Sequence, residues 1–101
     1  MIKRNRAPSR QTVAVLQALL DRQSRWSYGL EIAEVTGLAS GSLYPILIRL
    51  ADRGLLESQW QEPSRPGRPP RHAYRITGEG RAVLHQALAS KQQSGLGEAQ
   101  T

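Results

Sequence analysis

Basic residues, most of them arginines, are concentrated in two segments of this sequence. One eleven-residue window contains four arginines and no acidic residue: Arg65, Arg68, Arg71 and Arg75. The first ten residues also contain four basic residues and no acidic one: Lys3, Arg4, Arg6 and Arg10. Because guanidinium groups bind phosphate oxygens through paired N–H donors, such clusters favour a polyanionic partner, most often nucleic acid. The overall charge of +6 agrees with this, although charge that only maintains solubility is the alternative.

Other kinds of chemistry lack the residues that they need. The chain has no cysteine, which removes disulfides, thiol nucleophiles and cysteine-ligated metals. His72 and His85 fall in different segments without suitable companions, so we expect neither a metal site nor a cofactor. No nucleophile–base pair, carboxylate pair or phosphate-binding loop is recognisable, which argues against an enzyme. Without a signal peptide or an apolar run near ~20 residues, the chain is predicted to be cytoplasmic, with no membrane partner.

A second group of residues suited to close ligand contact lies in the segment SGSLYP. Ser40, Gly41, Ser42, Tyr44 and Pro45 stand at the front of a segment whose apolar residues have helical spacing. A proline inside a helix costs about 3 kcal/mol because it lacks an N–H donor, but the first turn tolerates it. With Ser42 as N-cap, Pro45 would be the third helical residue, whereas a cap at Ser40 would require a distorted first turn. Free N–H groups and small side chains there would let phosphates and bases approach closely.

Helices must position these residues, and the spacing of apolar residues predicts three of them before the hairpin. The first runs from Ser9, as its N-cap, to about Arg22. The second covers about 28–36, with Ser27 as its N-cap and Gly37 at its end, and the third covers about 41–53. The predicted inward residues are, helix by helix, Val13, Leu16, Leu19 and Leu20, then Leu30, Ile32, Ala33 and Val35, then Leu43, Ile46, Leu47 and Leu50.

The following segments predict a β-hairpin with a long basic tip, and then a last helix. Residues 55–62 and 72–76 alternate in part between apolar and polar side chains, as short strands do. Between them lies PSRPGRPPR, at 63–71, whose prolines exclude a regular strand or helix; we name this loop the wing. A helix with an apolar stripe is predicted for 78–90, before a polar tail at 91–101 that we expect to be disordered.

The predicted order of elements is that of a winged helix-turn-helix, mainly α with a small β-hairpin. In this architecture the third helix enters the major groove of DNA, led by its N-terminal residues. Tyr44 faces away from the apolar stripe and would contact DNA or pack on a neighbour. Arg49 would reach a phosphate or pair with an acid. We expect Tyr28 and Tyr74 to pack in or beside the core, and Trp60 to pack under the hairpin.

Three segments also carry a family resemblance: YGLEI, SGSLYPILIRLADRGLLES and GRPPRHAYRITGEGRAVL. Together they closely resemble the PadR-like transcriptional regulators over roughly residues 12–90. The resemblance implies a dimeric, sequence-specific DNA-binding repressor whose final helix dimerises. It also implies that a small hydrophobic or phenolic ligand can regulate the protein, although this final helix has no aromatic residue.

The resulting prediction is a homodimer that binds a pseudo-palindromic operator in the nucleoid. Its parts are a flexible basic arm at 1–8, a DNA-binding domain at 9–77, a dimerisation helix at 78–90 and a disordered tail at 91–101. The dimer would form through an apolar stripe made of Val83, Leu84, Ala87 and Leu88. A small aromatic effector, if one binds, would lie near Trp26 or Trp60. The alternative is an architectural protein that binds nucleic acid without sequence preference, and the role of the arm stays open.

Overall fold

The computed structural model describes residues 8–22, 25–63 and 65–99, which form four helices and a three-stranded sheet. In chain order the elements are α1 (Arg10–Asp21), β1 (Ser27–Tyr28), α2 (Gly29–Thr36), α3 (Ser40–Asp52), β2 (Leu56–Gln61), β3 (Arg71–Ile76) and α4 (Gly78–Ala99). This order confirms the predicted winged helix-turn-helix. The basic arm, apart from Pro8, lies outside the described residues.

α1 begins where the sequence predicts and lies at the centre of the core. The Ser9 hydroxyl accepts a hydrogen bond from the Thr12 N–H at 3.1 Å, which satisfies one donor that a helix start leaves free. Val15, Leu16 and Leu19 have no exposed surface. Because α1 contacts α2, α4 and β3, it is the element on which the other layers pack.

The start of α2 differs from the prediction. Ser27 is buried in β1, where the chain is still extended, so it does not cap the helix. The Glu31 carboxylate instead accepts a hydrogen bond from the Tyr28 N–H at 3.0 Å. The end of α2 is as predicted: Gly37 has a φ of 76°, and its N–H donates to the Ala33 carbonyl at 2.8 Å.

The surface of α2 also differs from the prediction. Leu30 and Val35 were expected to face inward, but they are 69% and 67% exposed. In this eight-residue helix the face turned to the core is formed by positions 29, 32, 33 and 36. Only Ile32 among them has a large apolar side chain, so the apolar pattern alone indicates the wrong face.

The sheet contains the predicted hairpin and one strand that was not predicted. β2 and β3 pair antiparallel, from Leu56 opposite Ile76 to Gln61 opposite Arg71. β1 adds to the other edge of β3, which gives the order β1-β3-β2. A strand of two residues is too short for side-chain alternation to be visible in a sequence.

The register of the sheet defines two faces, because directly paired residues point to the same side. The inner face, which packs on the helices, carries Ser27, Leu56, Ser58, Trp60, His72, Tyr74 and Ile76. The outer face carries Tyr28, Glu57, Gln59, Gln61, Arg71, Ala73 and Arg75. Only the part of the inner face near Leu56, Tyr74 and Ile76 is buried in the core. Trp60 lies near the wing end of β2 and is exposed.

α4 completes the core and is longer than predicted. Leu84 has no exposed surface, and Val83 and Leu88 pack partly buried against the same core. The helix continues past residue 90 to Ala99, so the tail predicted to be disordered is helical up to that residue. No proline or glycine occurs between 89 and 94, so nothing ends the helix where its apolar stripe ends.

Candidate nucleic-acid interface

α3 begins earlier than predicted. Ala39 is the N-cap, and its carbonyl accepts the N–H groups of Ser42 at 3.0 Å and Leu43 at 2.9 Å. Ser42 is therefore not the cap, and Pro45 is the sixth helical residue instead of the third. Because Pro45 has no N–H, the Gly41 carbonyl lacks the donor that a regular helix would supply. First-turn N–H groups and this carbonyl thus lie at an exposed helix end, where an external molecule can bond to them.

The two long faces of α3 have opposite character. Its buried residues are those predicted: Leu43, Ile46, Leu47 and Leu50. Its exposed residues include every predicted contact on this helix: Ser40, Gly41, Ser42, Tyr44, Pro45 and Arg49. Ile48 is also 58% exposed, although no contact was predicted for it. Ile48 lies on the same side of the helix as positions 41 and 45, and this spacing could have identified it as a contact residue.

Tyr44 is held against α2. Its side chain is 40% exposed, but its hydroxyl and ring lie directly over Gly29. A Cβ at Gly29 would overlap the Tyr44 hydroxyl and lie 2.8 Å from its Cζ. Tyr44 therefore packs on a neighbouring residue, which was one of the two alternatives. Its contact with DNA stays a prediction.

The wing displays its arginines on the surface. Arg65, Arg68 and Arg71 are all exposed. Within the described residues, the ion pairs join Arg22 to Glu31 at 3.2 Å and Arg75 to Glu57, so none of them neutralises a wing arginine. Among the described residues no carboxylate neutralises these three arginines, so their charge is available to an anion.

Tyr28 connects the base of the wing to the rest of the domain. Its hydroxyl donates a hydrogen bond to the Gln61 Oε1 at 2.7 Å, and the Arg71 guanidinium lies 3.6 Å from the centre of its ring. Such cation–π contacts orient an arginine without neutralising it. An open cleft of about 630 Å³ lies between Tyr28 and the wing, bordered by Arg65, Arg68 and Arg71. Arg71 is therefore the most firmly positioned of the three.

The two tryptophans lie in separate places. Trp26 is half-buried and lies 4.4 Å from the Arg75 guanidinium, which belongs to the outer face of the sheet. Trp60 extends from the inner face, is 67% exposed, and stacks on His72 with ring centres 4.4 Å apart. The prediction that Trp60 packs under the hairpin is wrong, because most of its side chain is exposed and its ring stacks on His72 of the neighbouring strand. The structure therefore does not bring the two rings together in one pocket.

A line of aromatic contacts leads from Trp60 through His72 to Tyr74. The Tyr74 hydroxyl is hydrogen-bonded to His72 Nδ1 at 3.1 Å, and Tyr74 itself is buried, as predicted. Burial raises the pKa of the Tyr74 phenol above its ordinary value, and Tyr44 raises it further.

The described residues were also searched for metal sites and for membrane-spanning helices. Its residues contain no group of three or more His, Cys, Asp or Glu side chains placed to hold a metal ion. Among the same residues, no helix combines the length and the apolar character that crossing a bilayer requires.

Comparison with known proteins identifies the family. Residues 15–86 match the model of the transcriptional regulator PadR-like family. The chain belongs to this family. Its sequence resemblance to PadR-like regulators is thereby confirmed, and the protein is a PadR-like transcriptional regulator with a winged helix-turn-helix fold. A search of curated proteins finds no match.

Solved structures of two PadR-like regulators support the same assignment, and that of a further transcriptional regulator supports the fold. A PadR-like transcription factor from Bacteroides fragilis is 26% identical, with a TM-score of 0.75 over 88% of this chain and 86% of that one. A PadR family regulator from Eggerthella lenta is 29% identical, with a TM-score of 0.71 over 89% and 83%. The PcaV regulator from Streptomyces coelicolor, solved with its natural ligand, is 26% identical, with a TM-score of 0.69 over 93% and 64%.

The residues predicted for dimerisation of this PadR-like chain do not form one free surface. Leu84 is fully buried within a single chain, so it cannot contact a partner in this packing. Val83, Ala87 and Leu88 are half-buried and keep some exposed surface. A charge introduced at Leu84 would disrupt the core of each chain instead of separating two chains. Dimerisation through the remaining three residues stays a prediction.

Proposed function

We propose that this chain is a sequence-specific DNA-binding repressor that acts as a homodimer. α3 is the recognition helix and enters the major groove with its exposed N-terminal turn leading. The wing lies along the DNA backbone, where Arg65, Arg68 and Arg71 bind phosphates or enter the minor groove. The observation that carries the proposal is the start of α3, which is small, polar and exposed on a helix fixed by a fully buried stripe.

The two parts of the interface have different tasks. Leu43 and Leu47 have no exposed surface, so α3 is rigidly attached, and a rigid helix can discriminate between base edges. Arg49 lies on the exposed side of the same helix and binds a phosphate beside the groove. The wing arginines supply affinity that does not depend on sequence, because phosphates are the same along any duplex.

The operator follows from the symmetry of the dimer. Two identical recognition helices related by a two-fold axis bind two half-sites, so the operator is pseudo-palindromic with half-sites about one helical turn, roughly 34–36 Å, apart. Val83, Ala87 and Leu88 contribute to the dimer contact. α4 continues beyond them to Ala99, which gives it a length of roughly 33 Å for contact with a second chain. A dimer bound over a promoter represses by occupying the DNA.

A small hydrophobic or aromatic effector would regulate this repressor through Trp60. One side of its ring is stacked on His72 and the side chain is largely exposed, so the other side is available for a planar molecule. Trp26 is less suited, because Arg75 already covers its ring. Such an effector must favour one spacing of the recognition helices, because equal affinity for both spacings would change nothing.

A competition experiment distinguishes this function from sequence-independent binding. The operator is first selected by the full-length chain from a pool of random duplexes. Dissociation constants are then measured for the operator and for a scrambled duplex at the same salt concentration. We expect the operator to bind at least about 10³-fold more tightly. A ratio near one would support an architectural protein instead.

A further inference from the structure

Gly29 and Tyr44 are in close contact, and direct DNA binding by Tyr44 does not explain why a glycine is needed at position 29. Gly29 is buried at the first position of α2, and Tyr44 lies on the first half of α3. The Tyr44 hydroxyl, Cζ and Cε1 are the three atoms nearest to where a Gly29 Cβ would stand. Any residue other than glycine would therefore displace the Tyr44 ring.

We infer that Gly29 is a positioning residue: by seating Tyr44, it sets the place of the recognition helix's first turn and so determines sequence specificity without touching DNA. This inference rests on the proposed function and deepens it. It assigns Tyr44 a role through packing, whereas the residues around it meet the DNA.

The packing of α3 explains why such a contact is needed. The middle of the helix is fixed by its buried leucines, but Ser40, Gly41 and Ser42 all lie exposed. The Gly41 carbonyl also lacks its usual donor, because Pro45 has no N–H. In this part of α3 the Leu43 side chain packs in the core and the Tyr44 ring packs over Gly29.

The consequence is a specificity change that originates in a buried residue. A methyl group at position 29 must push the Tyr44 ring outward. We expect the first turn of α3 to shift with the ring, because Tyr44 lies directly after that turn. Base contacts require alignment within fractions of an ångström, whereas phosphate contacts by long arginines do not. We therefore expect the operator to lose affinity while a scrambled duplex does not.

The test compares the full-length wild type with Gly29→Ala, Tyr44→Ala and the double variant. Gly78→Ala is the matched control, because it adds a methyl group where no atom lies within 4 Å. For each protein, operator and scrambled affinities are measured below its melting temperature. Each single variant should lower the ratio of affinities about tenfold, the size of one lost base contact. The double variant should lose no more than either single one, because both act through one contact. Gly78→Ala should keep the ratio of the wild type.

Three results would count against the inference. A folded Gly29→Ala chain with the ratio of the wild type would overturn it, and so would losses that multiply in the double variant. If Gly29→Ala does not fold, amide hydrogen exchange in Tyr44→Ala decides. We expect about tenfold faster exchange at Ser42 and Leu43 with unchanged rates in α1, and unchanged rates at both positions would overturn the inference. A wild type that binds both duplexes equally would instead contradict the proposed function itself.

Discussion

Ile48 exposes a branched aliphatic side chain on the face of α3 that we propose binds DNA. It is 58% exposed and shares the helical phase of Gly41 and Pro45. In the major groove the thymine methyl is the apolar group that such a side chain can contact. Ile48→Ala should therefore weaken operator binding by about 1–3 kcal/mol and leave a scrambled duplex unaffected.

The control for Ile48 is Val35→Ala, which truncates a similarly exposed aliphatic residue on α2. It should change neither affinity. Paired titrations of both duplexes measure this. Equal losses on the two duplexes for Ile48→Ala would show that Ile48 does not discriminate between sequences.

Arg68 is expected to behave in the opposite way. It is exposed on the wing and has no carboxylate partner among the described residues. Arg68→Ala should weaken operator and scrambled binding by similar factors and reduce the salt slope by about 1 per lost contact per subunit. Titrations over a range of salt concentrations measure that slope. Arg81→Ala removes the same charge from an exposed site on α4 and should leave the slope unchanged.

We expect Tyr74 to make the stability of the domain decrease at high pH. Burial, with Tyr44 as a second cause, raises the pKa of its phenol above the ordinary value near 10. Above about pH 10 the unfolded chain loses this proton while the folded chain keeps it, so stability falls as the pH rises. Melting temperatures from about pH 8 to 11 should fall more steeply for the wild type than for Tyr74→Phe. Parallel curves would mean that Tyr74 is not responsible.

α3 contains Pro45 in its interior, although proline has the lowest helix propensity of all residues. Pro45 is the sixth helical residue and cannot donate to the Gly41 carbonyl. Pro45→Ala should keep the fold and stabilise the chain by up to about 3 kcal/mol, measured by urea unfolding. The control is Ser42→Ala at another exposed position of the helix, which should change the stability by less than about 1 kcal/mol. A lower stability of Pro45→Ala would indicate that the proline is favourable for the start of the helix.

The elements that sequence reasoning predicted are those whose signals are local and repeated. The stripe of α3, the Ser9 cap and the Gly37 helix end each depend on residues a turn or less apart. The hairpin was predictable because prolines and glycine separate two alternating segments. The exposed arginines of the wing follow from the same composition.

The features that the sequence did not reveal depend on contacts between distant segments. β1 exists because Ser27 and Tyr28 pair with β3, which lies far along the chain. The Tyr44 ring occupies the space that a side chain at position 29 would need. The spacing of residues in α2 and α3 does not show that Gly29 and Tyr44 are in contact. Leu84 was assigned to a partner because a single sequence does not show whether an apolar stripe is covered by its own chain.

The basic charge of the whole chain is not confined to the wing. The chain carries +6 overall, and Lys3, Arg4, Arg6 and Arg10 form a second basic cluster. Among the described residues Glu57 pairs with Arg75 and Glu31 pairs with Arg22, whereas no carboxylate pairs with a wing arginine. We therefore expect the wing arginines to contribute to the salt dependence of DNA binding.

In the proposed complex, two recognition helices of a dimer bind two half-sites in the major groove. Methylation interference can detect this arrangement, because methyl groups at guanine N7 lie in the major groove and block contacts there. On an operator selected by the wild-type chain, we expect two patches of interference related by a two-fold axis and separated by about 10 base pairs. A single patch, or binding that is indifferent to methylation throughout a guanine-containing operator, would contradict it.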